Sequence, residues 1–138
     1  MERMISYFSL DRLYNYFGLA AGAMVSALGG WDVPLRALTA AMALDYASGV
    51  IAAAMQKKLS SAAGFSGLAR KTMVFLIIIM AACLDSLTGQ QNVCRTAVIA
   101  FYFVNESVSL MENAAKLGLP VPKKLLDALE QLRGEEGE

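Results

Sequence analysis

The sequence predicts an all-α membrane protein with four transmembrane helices and a C-terminal amphipathic cytoplasmic helix; three spans are the alternative. Three observations lead to this fold class. Hydrophobic residues make up 57% of the 138 residues, and the mean hydropathy of +0.48 lies above that of ordinary soluble domains. The apolar residues are gathered into four runs long enough to approach the thickness of a bilayer. The cations between these runs alternate strongly in number, as they do in membrane proteins.

The first two predicted spans are residues 13–28 and 34–55, preceded by a cytoplasmic N-terminus at 1–12. The first run ends at two glycines and a tryptophan, which indicates a turn at the membrane interface. The second run begins at Pro34, a favourable first helical position. Its 22 residues extend about 33 Å as a helix, enough to cross the hydrocarbon core. Residues 1–12 are too mixed in charge to predict a cleaved signal peptide.

The third predicted span, 72–87, is the most apolar run, and the fourth covers 95–111. Residues 56–71 form a basic connection, for which a cytoplasmic loop is favoured over a short interfacial helix. Residues 112–138 are a predicted cytoplasmic tail, in which prolines end the fourth helix and leucines at helical spacing predict the amphipathic helix. The whole chain, 1–138, is expected to form one domain.

The distribution of cations predicts the orientation. With both termini in the cytoplasm, ten cations lie inside and two outside, a strong positive-inside bias. A three-span chain would leave one terminus outside, which the cations oppose. The total of 12 basic and 12 acidic residues gives no net charge and indicates no nucleic-acid partner. The cytoplasmic basic loop contains four of the cations: Lys57, Lys58, Arg70 and Lys71.

Polar residues inside the predicted spans are the candidate functional residues. They lie at helical spacing on one face of the second and fourth runs. An ionised carboxylate at the centre of a span costs about 2.5 to 3.5 kcal/mol on insertion scales, so it normally faces other helices or water. Two interpretations stay open: these residues fix helix packing, or they line a water-filled path. The candidates are Asp45, Ser48, Gly49, Tyr102, Asn105, Glu106 and Ser109, with Asn113 continuing the stripe.

Two further sets of residues have predicted structural roles. Gly18, Gly22 and Ser26 form a small-residue face, which lets membrane helices approach closely. Charged residues near the outer ends of the spans are expected to compensate one another. This predicted outer-rim set comprises Arg36, Asp85 and Arg95, with Asp32 as a further member.

The residues for common enzyme chemistry are missing from the sequence. There is no histidine, and Cys83 and Cys94 lack the spacing of a metal or redox site. Nucleophile, phosphate-loop and metalloprotease motifs are also absent. The sequence therefore predicts neither an enzyme nor a cofactor, metal or catalytic site. The two cysteines are interpreted as small buried hydrophobic residues.

Several motifs occur in an order that resembles a known family. LDYASGVIAAAMQKKLSSAAGFSGLARK, starting at Leu44, is followed by an apolar span and then by VNESVSLMENAAKLGLPVPKKLLDALEQL, starting at Val104. Over residues 35–133 the chain resembles the toxin-secretion and phage-lysis holins, known as phage holin family 4. The Asp-Tyr-x-Ser-Gly, GxxGLxxK and Asn-Glu-x-x-Ser patterns carry the resemblance together.

This resemblance implies a protein of the bacterial cytoplasmic membrane, surrounded by lipid, that forms homo-oligomers. Such proteins open lesions at a timed point, through which an endolysin reaches the cell wall or a toxin is exported, without stable binding to that cargo. Two other classes stay open from the residues alone. One is a four-span proton-coupled transporter of the multidrug type, with Asp45 as its carboxylate. The other is a membrane scaffold without a pore.

Overall fold

The computed structural model describes the backbone of residues 2–135 and the side chains of residues 10–132 and 134. Met1 and residues 136–138, which belong to the predicted termini, lie outside the described part, as do the side chains of Arg3 and Arg133. Within residues 2–135 the structure consists of helices and connections, without strands. The helices are α1 (Glu2–Ala27), α2 (Val33–Met55), α3 (Ser61–Thr88), α4 (Val93–Lys116) and α5 (Lys123–Glu135).

Helix α2 begins within one residue of the predicted start and ends at the predicted residue. Asp32 is its N-cap, because the carboxylate accepts a hydrogen bond from the Leu35 backbone N–H at 3.1 Å. Pro34 follows in the first turn, where its missing N–H leaves no helical bond unmade. Helix α1, in contrast, starts well before the predicted span at 13–28 and includes most of the predicted N-terminal segment.

Helix α3 differs most from the prediction, because it begins at Ser61 rather than at residue 72. Ser60 caps its first turn by accepting a hydrogen bond from the Ala63 N–H at 3.5 Å. No proline interrupts the segment that follows, so the helix continues into the apolar run. The predicted basic loop therefore shrinks to residues 56–60, and Arg70 and Lys71 belong to a helix instead of a loop.

Helix α4 is capped by a side chain from the neighbouring helix. Its N-cap residue, Asn92, makes no side-chain hydrogen bond to the first turn. Instead, the Asp85 carboxylate on α3 accepts hydrogen bonds from the backbone N–H groups of Cys94 and Arg95, both at 2.9 Å. A carboxylate is favourable at the positive end of a helix. This contact also fixes the turn that joins α3 to α4.

The core lies where α2, α3 and α4 meet. Helix α4 packs along α2 and against α3, whereas α2 and α3 touch over a much shorter stretch. Helix α1 contacts only α3 among the described helices, and α5 contacts only α4. Outside the core, large apolar side chains such as Leu76, Met80 and Leu87 are exposed. The core side chains are Leu28, Leu35, Leu38, Met42, Val74, Ile78 and Ile99.

Three of the described helices are long and apolar enough to cross a membrane: Val33–Met55, Ser61–Thr88 and Val93–Lys116. This number of candidate spans among the described residues agrees with the three-span alternative, and the four-span prediction is not confirmed. Helix α1 is long enough, but Asp11, Arg12 and Asn15 interrupt its apolar sequence. The structure is thus an all-helical membrane protein with exposed apolar surfaces of the kind that lipid covers.

Candidate functional site

Two carboxylates share one ammonium group where α2, α3 and α4 meet. Lys71 Nζ donates a hydrogen bond to Asp45 Oδ2 at 2.8 Å and another to Glu106 Oε2. The three side chains are only 14%, 15% and 13% exposed, respectively. With all three groups ionised the cluster carries one net negative charge. Such a group of charges is costly to hold away from water unless it is paired and hydrogen-bonded.

The amide of Asn113 extends this cluster toward the C-terminal end of α4. Its Nδ2 donates to Asp45 Oδ1 and to Ser48 Oγ, both at 3.1 Å. Ser48 Oγ in turn donates to the Asp45 backbone carbonyl at 2.9 Å. Among the described residues, no buried side-chain nitrogen or oxygen lacks a hydrogen-bond partner. We call Asp45, Ser48, Lys71, Glu106 and Asn113 the intramembrane network.

Glycines lie where the helices meet beside this network. A Cβ atom on Gly49 would lie 3.5 Å from Asn113 Nδ2, an ordinary contact distance, so there is room for a methyl group at this position. Tyr46 packs over the α3 face that carries Gly64 and Gly67, and its hydroxyl oxygen would lie 3.4 Å from a Cβ on Gly64. The two glycines of the GxxGLxxK pattern thus form the contact surface for the tyrosine of the Asp-Tyr pattern.

The network lies in the wall of an open groove between the three helices, with a volume of about 980 Å³. We call this space the central groove. Its α2 wall includes Asp45 and Gly49, and Ser48 is the one member of the network that does not line it. The α4 wall contains the whole predicted polar stripe, namely Tyr102, Asn105, Glu106, Ser109 and Asn113.

A second charged cluster lies at the other end of the bundle, around Arg95, which is 1% exposed. Its guanidinium donates to both carboxylate oxygens of Asp32, at 2.7 and 3.0 Å. It also donates to the carbonyls of Leu28 at 2.6 Å and Gly30 at 3.1 Å. The hydrogen bonds from Arg95 hold the pKa of Asp32 below its ordinary value. We call Arg95 and these acceptors the Arg95 node.

Close approach of the backbone explains one glycine beside the Arg95 node. Gly29 has φ of +80°, and a Cβ there would lie 2.8 Å from Arg95 Nε.

The other predicted rim residues, outside the Arg95 node, do not bind the Arg95 guanidinium. Asp85 contacts the backbone of Arg95 rather than its guanidinium. Arg36 is exposed and forms no ion pair with another described residue.

The remaining predicted residues lie on the surface of the described chain. A Cβ atom added to Gly18 or Gly22 would meet no other atom within 4 Å, and Ser26 beside them is exposed. Lys57 and Lys58 are exposed in the connection between α2 and α3. The Arg70 guanidinium donates only to Ser66 Oγ, at 3.4 Å. Cys83 is exposed and Cys94 half-buried, so the interpretation of both as buried hydrophobic residues is wrong for Cys83.

Sequence reasoning missed the pairing of Lys71 with Asp45 and Glu106, because it assigned Lys71 to a loop. A signal was present: Gly64, Gly67 and Lys71 are spaced at three and four residues, which places them on one face if the helix starts at Ser61. Ser60 is also a favourable N-cap residue for such a start. No comparable local signal in the sequence marks the four oxygen atoms that accept hydrogen bonds from Arg95.

Comparison with known proteins identifies the family. The model of the bacteriophage holin family matches residues 22–134. An uncharacterized 14.9 kDa protein of Clostridium perfringens is 35% identical over 98% of this chain and 99% of its own length. The protein YtkC of Bacillus subtilis is 30% identical over 91% of this chain and 96% of its own.

A phage protein is also similar to the chain. The probable holin of Bacillus phage phi105 is 33% identical over 67% of this chain and 68% of its own length. No solved structure matches the chain. The extent of the family match and these relatives show that the chain belongs to the bacteriophage holin family, a membership that points to a pore-forming membrane protein without enzymatic activity.

Proposed function

We propose that this protein accumulates as homo-oligomers in the bacterial cytoplasmic membrane and opens lesions there at a timed point. An endolysin, or in a related role a toxin, then leaves through the lesion without binding stably to this chain. The intramembrane network is the observation that carries the proposal. A charged, hydrogen-bonded cluster between three apolar helices suits a protein that must be stable in lipid and later face water.

The proposed mechanism uses two environments for the same polar face. In the closed state, α2 and α3 flank the polar stripe of α4 along the central groove, and the intramembrane network pairs its charges within one chain. In the open state, neighbouring chains rearrange so that the stripe faces a water-filled lumen. Water can then solvate Asp45 and Glu106 in place of Lys71. Crowding in the membrane would shift the population from the first state to the second.

The proposed topology has both termini in the cytoplasm, with α1 as a fourth and less apolar span. The distribution of cations supports it, since this topology places ten of them inside. The exposed small-residue face of Gly18 and Gly22 would then be available to a neighbouring chain in lipid. A green fluorescent protein fused at the N-terminus should fluoresce in this topology. In the three-span alternative the fused protein would lie outside the membrane and would not fluoresce.

Expression in a bacterium together with a cytoplasmic endolysin tests the proposed function. We expect abrupt lysis only when both proteins are present, because the endolysin alone cannot reach the cell wall. Expression of this chain alone should stop growth and release cytoplasmic protein without dissolving the wall. A culture that stays intact with both proteins at normal membrane levels would contradict the proposal.

The transporter alternative has one observation in its favour, since Tyr46, Phe101 and Tyr102 line the same groove as the two carboxylates. However, Lys71 already occupies the position between the two carboxylates that a cationic substrate would take. The same cultures discriminate between the two classes. A transporter would raise resistance to cationic drugs in a proton-dependent manner and would not release a cytoplasmic enzyme.

A further inference from the structure

The central groove changes in character along its length. The wall that α3 provides runs from Ser60 to Ile77, about 25 Å along the helix axis. Lys58 lies beside the α2–α3 connection and Arg70 just past the middle of this wall, and the carboxylates of Asp45, Glu106 and Glu112 line the same part of the groove. From Met73 onward the lining is apolar and includes Val74, Ile77 and Phe101. The groove is therefore amphipathic, charged from the connection to Lys71 and apolar beyond it.

Two of the cations in the groove wall are available to a ligand. Lys71 is held by Asp45 and Glu106. Lys58 and Arg70, in contrast, form no ion pair with another described residue, and the one side-chain hydrogen bond of Arg70 goes to an uncharged serine. Guanidinium and ammonium groups at such positions bind phosphate oxygens. Glu112 on the opposite α4 wall can accept a hydrogen bond from a hydroxyl group.

The position of these cations relative to the apolar run indicates the kind of ligand. Arg70 lies just before Thr72, where the most apolar stretch of α3 begins. A phosphate at Arg70 would therefore lie at the boundary between headgroups and hydrocarbon, and a chain attached to it could follow Met73 and Ile77 into the bilayer. The volume of about 980 Å³ is at the upper end of ordinary ligand pockets.

We propose that the central groove binds one anionic phospholipid with a hydroxylated headgroup, such as phosphatidylglycerol. Arg70 binds its phosphate, Lys58 and Glu112 contact the hydroxyl groups of its headgroup, and one acyl chain covers the apolar part of the groove. The lipid thereby fills the gap left where α2 and α3 diverge. This inference depends on the membrane location of the chain and not on lesion formation.

Native mass spectrometry of the full chain tests the proposal, with the protein released from detergent micelles containing phosphatidylglycerol or phosphatidylcholine. We expect one phosphatidylglycerol per chain to remain bound in preference to phosphatidylcholine. The double variant Lys58→Gln with Arg70→Gln should bind it at least about tenfold more weakly, since two charge-assisted contacts are lost. Ala63→Leu, which fills the groove without changing charge, should also weaken binding.

Matched controls separate this site from general attraction to anionic lipid. Lys57→Gln with Lys123→Gln removes two exposed cations that do not line the groove, and Ala62→Leu adds the same volume beside it. Both should bind phosphatidylglycerol as the wild type does. Equal losses in the groove variants and their controls would overturn the proposal. So would equal retention of phosphatidylcholine, or displacement of the lipid by millimolar inorganic phosphate.

A measurement on the wild type covers the case in which a variant fails to fold. Phosphatidylglycerol with a photoreactive group in its acyl chain should label the α3 segment 73–77 and Phe101 once per chain. Excess unlabelled phosphatidylglycerol should suppress this labelling, and excess phosphatidylcholine should not. Uniform labelling of all exposed apolar faces would contradict a defined site.

Discussion

Replacing Lys71 by methionine is expected to cause premature lesion opening. The substitution leaves Asp45 and Glu106 facing each other without their shared cation, which destabilises the closed arrangement. Removal of one partner from a buried pair costs about 3 to 5 kcal/mol. Because these side chains are slightly exposed, we expect the lower end of that range, about 3 kcal/mol, which is roughly a hundredfold shift toward the hydrated state. Lysis of cultures with endolysin should therefore begin well before that of the wild type.

Neutral variants distinguish loss of charge balance from loss of contact. Asp45→Asn with Glu106→Gln and Lys71→Met removes all three charges, so the closed state should regain stability and lysis should be delayed relative to Lys71→Met alone. Lys57→Met, a change at an exposed lysine without an ion pair, is the control and should leave timing unchanged. Membrane levels are compared by immunoblot. If cultures that express Lys71→Met and Lys57→Met at equal membrane levels lyse at the same time, the network has only a packing role.

Replacing Arg95 by methionine is expected to be the most damaging change for stability. It leaves the buried carbonyl of Leu28, that of Gly30 and the Asp32 carboxylate without the group that binds them. Because the Asp32 side chain is 43% exposed and water can solvate it, we expect the lower end of the cost of breaking a buried pair, about 3 kcal/mol, or roughly a 10 °C fall in unfolding temperature. Circular dichroism of the protein in detergent measures this temperature.

Two controls test the role of Arg95: the removal of a different arginine, and the dependence of the stability difference on pH. Arg36→Met removes an exposed cation near the same end of α2 and should change the unfolding temperature little. Because Arg95 lowers the folded-state pKa of Asp32, this pairing stabilises the protein above the ordinary carboxyl pKa and is lost as the pH falls through the folded value. The difference in unfolding temperature between the wild type and Arg95→Met should therefore become smaller at acidic pH. If Arg95→Met lowers the unfolding temperature at neutral pH by as little as Arg36→Met does, the stabilising role of the Arg95 node is contradicted.

The boundaries of α2 could be predicted because local signals determine them. Asp32 and Pro34 mark its start, and the polar sequence after Met55 marks its end. The stripe on α4 was also accessible from the sequence, since helical spacing alone groups Asn105, Glu106 and Ser109 on one face. Whether those residues have the predicted role stays a prediction.

The start of α3 and the partners of the buried charges were not predictable in the same way. Arg70 and Lys71 interrupt the apolar run, so hydropathy assigned them to a loop, although the helix continues through them. Their environment depends on how α3 packs against α2 and α4. Likewise, four acceptors more than 60 residues away in the chain surround Arg95. Such contacts follow from tertiary packing, which periodicity and composition do not encode residue by residue.

The accessibility of the α4 stripe to water is the most direct test of the central claim that one polar face is covered before opening and hydrated afterwards. A functional chain with Cys83→Ser and Cys94→Ala would carry a single new cysteine, Ser109→Cys on the stripe or Phe103→Cys on the exposed apolar face. A water-soluble maleimide is applied to membranes before and after lesions open. We predict that Ser109→Cys reacts only after opening, whereas Phe103→Cys stays unreactive throughout. Equal reactivity of Ser109→Cys before and after opening would contradict the account.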